Sequence, residues 1–444
     1  MRTMQQTEAS SWRPVQFLGN KLRVLDEVSK VVIRDREPGA TVWDAFCGST
    51  VVSQRLASQG MRVLATDKLV CSVTFARAML SIGRGERADD LDALRAIGSL
   101  RMPADYELWA PYVEAEEVAL TRGSAEDAIA VSRAVPLRWR EASMSPAFRS
   151  VFDEVDRASM DGVHRPFASM TSTYAGTYFG VKQAIELDRL VGEVMRLFAH
   201  GKIQRWQADA GLTAVASAAS AAVFSAGKHF AQPINANQQL TPFQARRLLQ
   251  DRKIDVSELF LDALNQIEQS AERSGTHNAF ELEAEHLSSD LLIEHDVSTV
   301  YADPPYTAQQ YSRFYHVLDT LTLGVPANLQ RKNGQITKGL YPVERFKSAF
   351  CSRRAAPIAF RNLAENAYDA SARLVISYSE SAPGSTGNSR SISLEELLQT
   401  VSGVYGACNV DVTTLDIRYR QFNQSSAAYA SREDPEVLVV AEHR

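Results

Sequence analysis

Residues 300–306, VYADPPY, constrain the fold more than any other stretch of this chain. A short apolar run with strand character meets an aspartate and then two prolines, which remove two backbone donors and fix two φ angles. No sheet ladder continues through Pro304 and Pro305, so a strand must end at Asp303 on a stiff backbone. Such an end suits either a plain turn or a platform that holds reacting groups still. Two other strand-like runs also end in an acid: TVWD at Asp44 and MRVLATD at Asp67.

Around these runs the pattern is strand, turn, helix, strand. KLRVLDEVSKVVIR sets Leu22, Leu25, Val28 and Val32 at helical spacing, and Pro38 with Gly39 stops it. TVWDAF is followed by the tight turn CGST, a helix in VVSQRLASQG closed by Gly60, the strand MRVLATD and a helix in SVTFARAMLSI. This βαβ succession predicts an α/β protein with a doubly wound, largely parallel sheet. From 86 to 277 the texture is helical instead, with a strong amphipathic helix in GVKQAIELDRLVGEVMRLF and a small, apolar stretch at 212–227 that reads as a core helix. Strand patterning returns in AFELEAEHL and VSTVYAD, then in RLVISYS, NVDVTTLDIRYRQF and EVLVVAEH. Between them lie helices in APIAFRNLAENAYDASA and SLEELLQTV, the latter opened by Ser393 and Glu396 at capping-box spacing. Three segments follow: 12–85 as the first half of a sheet domain, 86–277 as a helical insert, and 278–444 as the second half.

Composition narrows the class of protein. With 444 residues, 45% hydrophobic and 23% charged, the chain has ordinary globular values. No apolar run approaches bilayer length, and MRTMQQTEASSWRP lacks the apolar segment of a signal peptide, so a cytoplasmic protein with no membrane partner is expected. Cys47, Cys71, Cys351 and Cys408 are scattered without zinc spacing, which predicts free thiols and no metal site. A net charge of -5 argues against wholesale wrapping of nucleic acid but is compatible with a local basic groove. Basic and aromatic residues mix at Arg138, Trp139, Arg140 and Arg149, at Lys202, Arg205 and Trp206, and at Arg246 and Arg247. Such mixtures suit a nucleic-acid groove, but solvated helix faces are commonly basic too, and that is the more frequent case.

Ligands of open α/β sheets bind beyond the carboxyl ends of the strands, so Asp44, Asp67 and Asp303 should face one crevice. Gly48 lets the backbone turn and approach a ligand closely, and the helix that follows favours an anionic group at its start. An acid at Asp67 can accept from both hydroxyls of a ribose. The phosphate-cradling G-x-G-x-x-G is missing, which favours a ribose-bearing cofactor without a pyrophosphate. Each acid alone also reads as a turn cap; three at strand ends together favour function.

DAFCGST, 44–50, looks like the first cofactor motif of S-adenosylmethionine-dependent methyltransferases, and DPPY like the catalytic motif of those that methylate an exocyclic amine of a DNA base. QFLGNK, 16–21, is similar to the segment ahead of that motif in the alpha-group, Dam-like adenine enzymes, and the order of blocks matches. DPPYTAQQYSRFYHVLDTL and TYFGVKQAIELDRL extend the resemblance beyond the tetrapeptide. Glycine often stands where this chain has Thr50, which is a departure.

What the resemblance implies is a Rossmann-like class I methyltransferase sheet with a helical target-recognition insert, S-adenosyl-L-methionine as cofactor, and double-stranded DNA methylated at the N6 amine of adenine. Asp303, Pro304, Pro305 and Tyr306 would be catalytic, with the amine held by the Asp303 carboxylate and the Pro304 carbonyl and the base stacked on Tyr306. Gly19, Asn20, Lys21, Asp44, Phe46, Gly48 and Asp67 would meet the cofactor, and among Glu283, Glu285 and Asp290, which compete to meet its adenine, position in the strand favours Glu283. Tyr311, Tyr315 and His316 serve either the base pocket or packing, and His316 is not needed as a general base. A restriction or phage-defence setting is expected, with any nuclease partner a separate polypeptide. Methylation of an RNA adenine, and a DNA-recognition subunit of a larger defence complex, are the alternatives.

Overall fold

The computed structural model of the chain describes residues 11–19, 21–84, 91–98, 104–140, 144–162, 168–234, 239–271, 276–379, 390–415 and 436–443. Asn20, most of the Gly/Ser-rich loop after RLVISYS and the end of NVDVTTLDIRYRQF lie outside the described residues.

Seven strands build the main sheet: β1 (Thr41–Asp44), β2 (Arg62–Asp67), β3 (Asn278–Glu281), β4 (Val297–Ala302), β5 (Arg373–Ser379), β6 (Val410–Leu415) and β7 (Glu436–Ala441). Their spatial order is β3-β2-β1-β4-β5-β7-β6. The pairings among β1 to β5 are parallel, while β7 runs antiparallel between β5 and β6. The result is an α/β protein with a mostly parallel sheet.

Alternation along the central strands explains why both faces are covered. Val42, Val63, Ala65 and Tyr301 turn to one side, where α1 (Leu25–Val32) and α2 (Val51–Ser58) pack. Trp43, Leu64, Val300 and Ala302 turn to the other, against the helices Ala356–Asp369 and Leu394–Tyr405. A parallel strand buried on both faces needs apolar residues at successive positions, and TVW and VYA supply them. Ser393 and Glu396 form the reciprocal cap at the start of the last of these helices.

The helical segment shares its core with the sheet domain. One face of α3 (Val70–Met79) lies in the sheet's core through Val73 and Ala76, while Cys71, Phe75 and Met79 join a larger cluster with the helices Val181–Ala199, Arg205–Ala222 and Ser312–Leu323. Small residues of the Arg205–Ala222 helix allow this close approach, and the indole N–H of Trp206 donates to the Ala78 carbonyl at 3.0 Å. Among the described residues of 86–277 there are helices and isolated bridges but no strand. Among the described residues no helix is long and apolar enough to cross a membrane.

Candidate active site

The chain leaves β1 towards β2 and β3 on one side, and β4 lies on the other, so the order of strands reverses between β1 and β4. A crevice opens at such a reversal, beyond the carboxyl ends. Here a pocket enclosing about 840 Å³, solvent at its mouth included, occupies that place. Asp44, Asp67 and Asp303, at or just past the ends of β1, β2 and β4, all line it.

Asp44 is fully buried, with Ser53 of α2 donating to Oδ2 at 2.6 Å. Its Oδ1 is buried without a hydrogen-bond partner, the Phe46 N–H lying near the carboxylate without closing a bond. Burial pushes the carboxyl up to about 7, against the pull of Ser53 and Phe46. Asp67 ties two turns together: its Oδ2 accepts from Gly48 N at 3.0 Å and its Oδ1 from Leu69 N at 2.9 Å. Desolvation raises it to about 6 despite those N–H groups. Between these acids the β1 turn passes under Phe17, where a Cβ on Gly48 would come within 2.9 Å of the ring and Gly48 itself has φ 47°. Thr50 is held at φ 68°, a left-handed conformation that suits glycine, which gives the departure at this position a physical meaning.

Asp303 keeps 22% of its side chain open at the pocket wall and is bound from behind by Lys21, whose Nζ lies 2.9 Å from Oδ1. That ammonium is buried; it also meets Glu436 at 2.8 Å and donates to the Gly19 carbonyl at 3.1 Å. Desolvation works against the Lys21 charge, but Asp303 and Glu436 outweigh it and hold the pKa well above the usual lysine value. For Asp303 burial dominates and lifts the carboxyl to about 6, with Lys21 opposing. Glu436, which opens β7 and accepts from Ser377 Oγ at 2.6 Å, completes the group.

Pro304 and Pro305 are buried, and Pro305 lines the pocket. Cys351 Sγ points at the Pro305 carbonyl at 3.6 Å, whereas no donor among the described residues bonds to the Pro304 carbonyl. Tyr306 lies outside the pocket lining, with its ring 5.1 Å from Tyr378 and the Arg390 guanidinium 5.0 Å from its centroid. Gly19, Lys21, Phe46 and Gly48 are pocket residues. Of the three competing acids, Glu283 and Glu285 line the pocket and Asp290 sits away on the helix Ser289–Glu294. Glu285 already accepts from Ala349 N at 2.7 Å, while the Glu283 carboxylate, among the described residues, meets only the Lys68 ammonium, at 3.4 Å.

Two members of this site carry no local signal of their role in the sequence. Phe17 stacks on Tyr315 with centroids 4.2 Å apart and planes 2° apart, and Tyr311 meets it edge-on at 5.6 Å. Glu436 was legible only as one acid at the head of an otherwise apolar strand. Tyr315 also accepts from Leu18 N at 2.7 Å, so it packs the pocket wall. His316 is buried between Tyr178 and Tyr341, away from the pocket lining.

Four of the nine residues in the basic and aromatic mixtures are held internally. Trp206 is buried, Arg138 binds Asp156 and the Ala327 carbonyl, Trp139 donates to the Thr173 carbonyl, and Arg140 donates to carbonyls of 132, 133 and 135. Arg149, Lys202 and Arg246 are exposed. No protein-family model and no curated protein matches this chain.

Proposed function

We propose that the chain is an S-adenosylmethionine-dependent methyltransferase that acts on the exocyclic N6 amine of adenine in double-stranded DNA. One observation carries the reading: Asp44, Gly48, Asp67 and Asp303, singled out from three separate stretches of sequence, line one pocket at the point where the strand order reverses. An α/β protein with a mostly parallel sheet is compatible with the Rossmann-like fold that the sequence motifs imply.

The residues fit the cofactor. A pocket walled by carboxyls, with the buried Asp44 Oδ1 lacking a donor, suits a ligand that is cationic and rich in N–H and O–H groups. Asp67 keeps lone pairs for ribose hydroxyls, Glu283 stands over the same pocket, and Phe17 and Phe46 offer aromatic faces or edges. The backbone at Gly48 leaves no room for a side chain beneath Phe17. When bound, S-adenosylmethionine supplies an electrophilic methyl group.

The adenine amine is a weak nucleophile because its lone pair is delocalised into the ring, and the base must leave the duplex stack to be reached. The Asp303 carboxylate accepts one amine N–H and the Pro304 carbonyl the other, which draws the lone pair towards the methyl group. Lys21 positions Asp303 by fixing its far side, and the proline pair holds both acceptors in place. Tyr306 stacks on the extruded base, and the amine, once it has taken the methyl from the cofactor's sulfur and left a neutral thioether there, loses its proton to solvent.

Incubation with methyl-labelled cofactor tests this. Wild type should label duplex DNA and yield N6-methyladenine on digestion, and Asp303→Ala should not. Equal labelling by both proteins removes the assignment of Asp303. Labelling of structured RNA with none of DNA would move the substrate to RNA.

A further inference from the structure

Directly after the Asp-Pro-Pro-Tyr strand end the chain forms the helix Ser312–Leu323 and then a long irregular passage, 324–355. That passage holds seven basic residues and a single acid, Glu344, in a protein whose net charge is -5. Arg331, Lys332, Lys338, Lys347, Arg353 and Arg354 are exposed, and none is in an ion pair among the described residues. The seventh, Arg345, has Nε and Nη1 buried without hydrogen-bond partners and lies 4.9 Å from the Tyr341 ring centroid; Arg313 lies 5.2 Å from the same centroid. Arg313 also donates to the Tyr341 hydroxyl, and among the described residues neither guanidinium has a carboxylate partner, which suits an anion.

We propose that this passage is the surface that holds duplex DNA over Asp303, with its β-hairpin at 331–336 entering the major groove; the proposal rests on the DNA-methyltransferase reading above. The hairpin pairs Arg331–Lys332 with Gln335–Ile336 across Asn333 and Gly334, whose φ values of 52° and 77° are those of a tight two-residue turn. A two-stranded ribbon is narrow enough for the major groove, and its exposed side chains, Arg331, Lys332, Asn333 and Gln335, are the types that meet guanine and adenine edges there. The flanking lysines and arginines suit phosphates.

The ribbon is mounted rigidly and close to the reacting groups. Leu329 and Leu340 are buried in the helical core, Gln330 N donates to the Tyr341 carbonyl at 2.7 Å, and the Tyr341 hydroxyl donates to the Ala231 carbonyl at 2.6 Å. At Gly339 an added Cβ would lie 2.4 Å from that same carbonyl, so the backbone is pressed against the helical body. Further on, Ser348 N donates to Gln310 Oε1 at 2.8 Å and Ser312 Oγ to the Phe346 carbonyl at 2.6 Å, which ties the passage to the loop after Tyr306. Phe346 and Ser348 line the pocket itself. The 86–277 segment, by contrast, has more acidic than basic residues and uses several of its arginines internally.

Binding of a short labelled duplex, followed by fluorescence anisotropy across a salt series, tests the proposal. Arg331→Ala/Lys332→Ala is compared with wild type and with Arg149→Ala/Lys202→Ala, which removes two exposed charges from the helical segment. The hairpin pair should weaken binding about tenfold or more at low salt and lower the slope of log affinity against log salt by about two; the other pair should leave both unchanged. An unchanged slope in the hairpin variant, a loss confined to the other variant, or a wild type that binds no duplex overturns the proposal. Methyl transfer measured alongside separates the two readings. Hairpin-dependent binding without transfer keeps this surface and removes the methyltransferase, whereas transfer with a hairpin-independent slope does the reverse.

Discussion

Asp44 at the end of β1 and Asp188 on the helix Val181–Ala199 are equally buried, and burial pushes each carboxyl up to about 7. Their surroundings differ in kind. Asp188 accepts from Met170 N and Thr171 N, both at 2.8 Å, and from Thr171 Oγ1 at 2.7 Å, so it serves as the cap of a neighbouring short helix. The Asp44 carboxylate accepts, among the described residues, from Ser53 alone, leaves Oδ1 open and lines a cavity. A perturbed carboxyl by itself therefore marks no site in this protein; an unfilled lone pair facing a pocket does.

The largest effect expected of the acidic edge is on rate. Asp303→Ala should reduce methyl transfer per folded molecule by about a thousandfold, near 4 kcal/mol of barrier. Asp188→Ala should act on stability instead. Leaving two backbone N–H groups and a hydroxyl buried without an acceptor costs about 3 kcal/mol of stability, read as a lower urea midpoint, and the rate per folded molecule is kept. A stable Asp188→Ala protein with impaired transfer would break the comparison.

Acidity sharpens it. Asp44, Asp67, Asp303 and Asp188 all sit above the ordinary 3.8, so the folded chain retains protons that the unfolded chain has released. Their contribution to stability is full below 3.8 and is lost as pH rises through about 6 to 7. A cationic ligand favours the ionised pocket acids. Saturating S-adenosylmethionine should therefore bind more tightly as pH rises and flatten the pocket's share of the melting-temperature profile, leaving the share of Asp188. Ser53→Ala gives the smallest effect: loss of one hydrogen bond, about 1 kcal/mol, raises the Asp44 carboxyl further and moves the pH profile of ligand binding upwards.

The acidic edge was legible in the sequence because its cues are local. Each strand is short and apolar and each ends in an acid, with Gly48 soon after Asp44 and Pro304 directly after Asp303, so Asp44, Asp67 and Asp303 fall on one side of a sheet from local pattern alone. Partners brought in from distant segments were not legible. Glu436 joins Lys21 and Asp303 only because β7 lies beside β5, and Phe17 meets Tyr315 only because the helix Ser312–Leu323 packs against the N-terminal segment. Exposure was the other blind point: Trp206 and Arg138 carry the composition of a nucleic-acid groove, yet tertiary packing buries them. The basic hairpin at 331–336 hid in a stretch with little periodicity, where the Asn333-Gly334 pair was its sole local signal.

Calorimetric titration of S-adenosylmethionine into wild type, Asp44→Asn and Asp188→Asn separates the open acid from the capped one. The open acid at the end of β1 should hold the ligand, so Asp44→Asn should lose affinity about tenfold, near 1.4 kcal/mol, and Asp188→Asn should bind as wild type does. Absence of binding to wild type, or equal affinity for wild type and Asp44→Asn, would contradict that role.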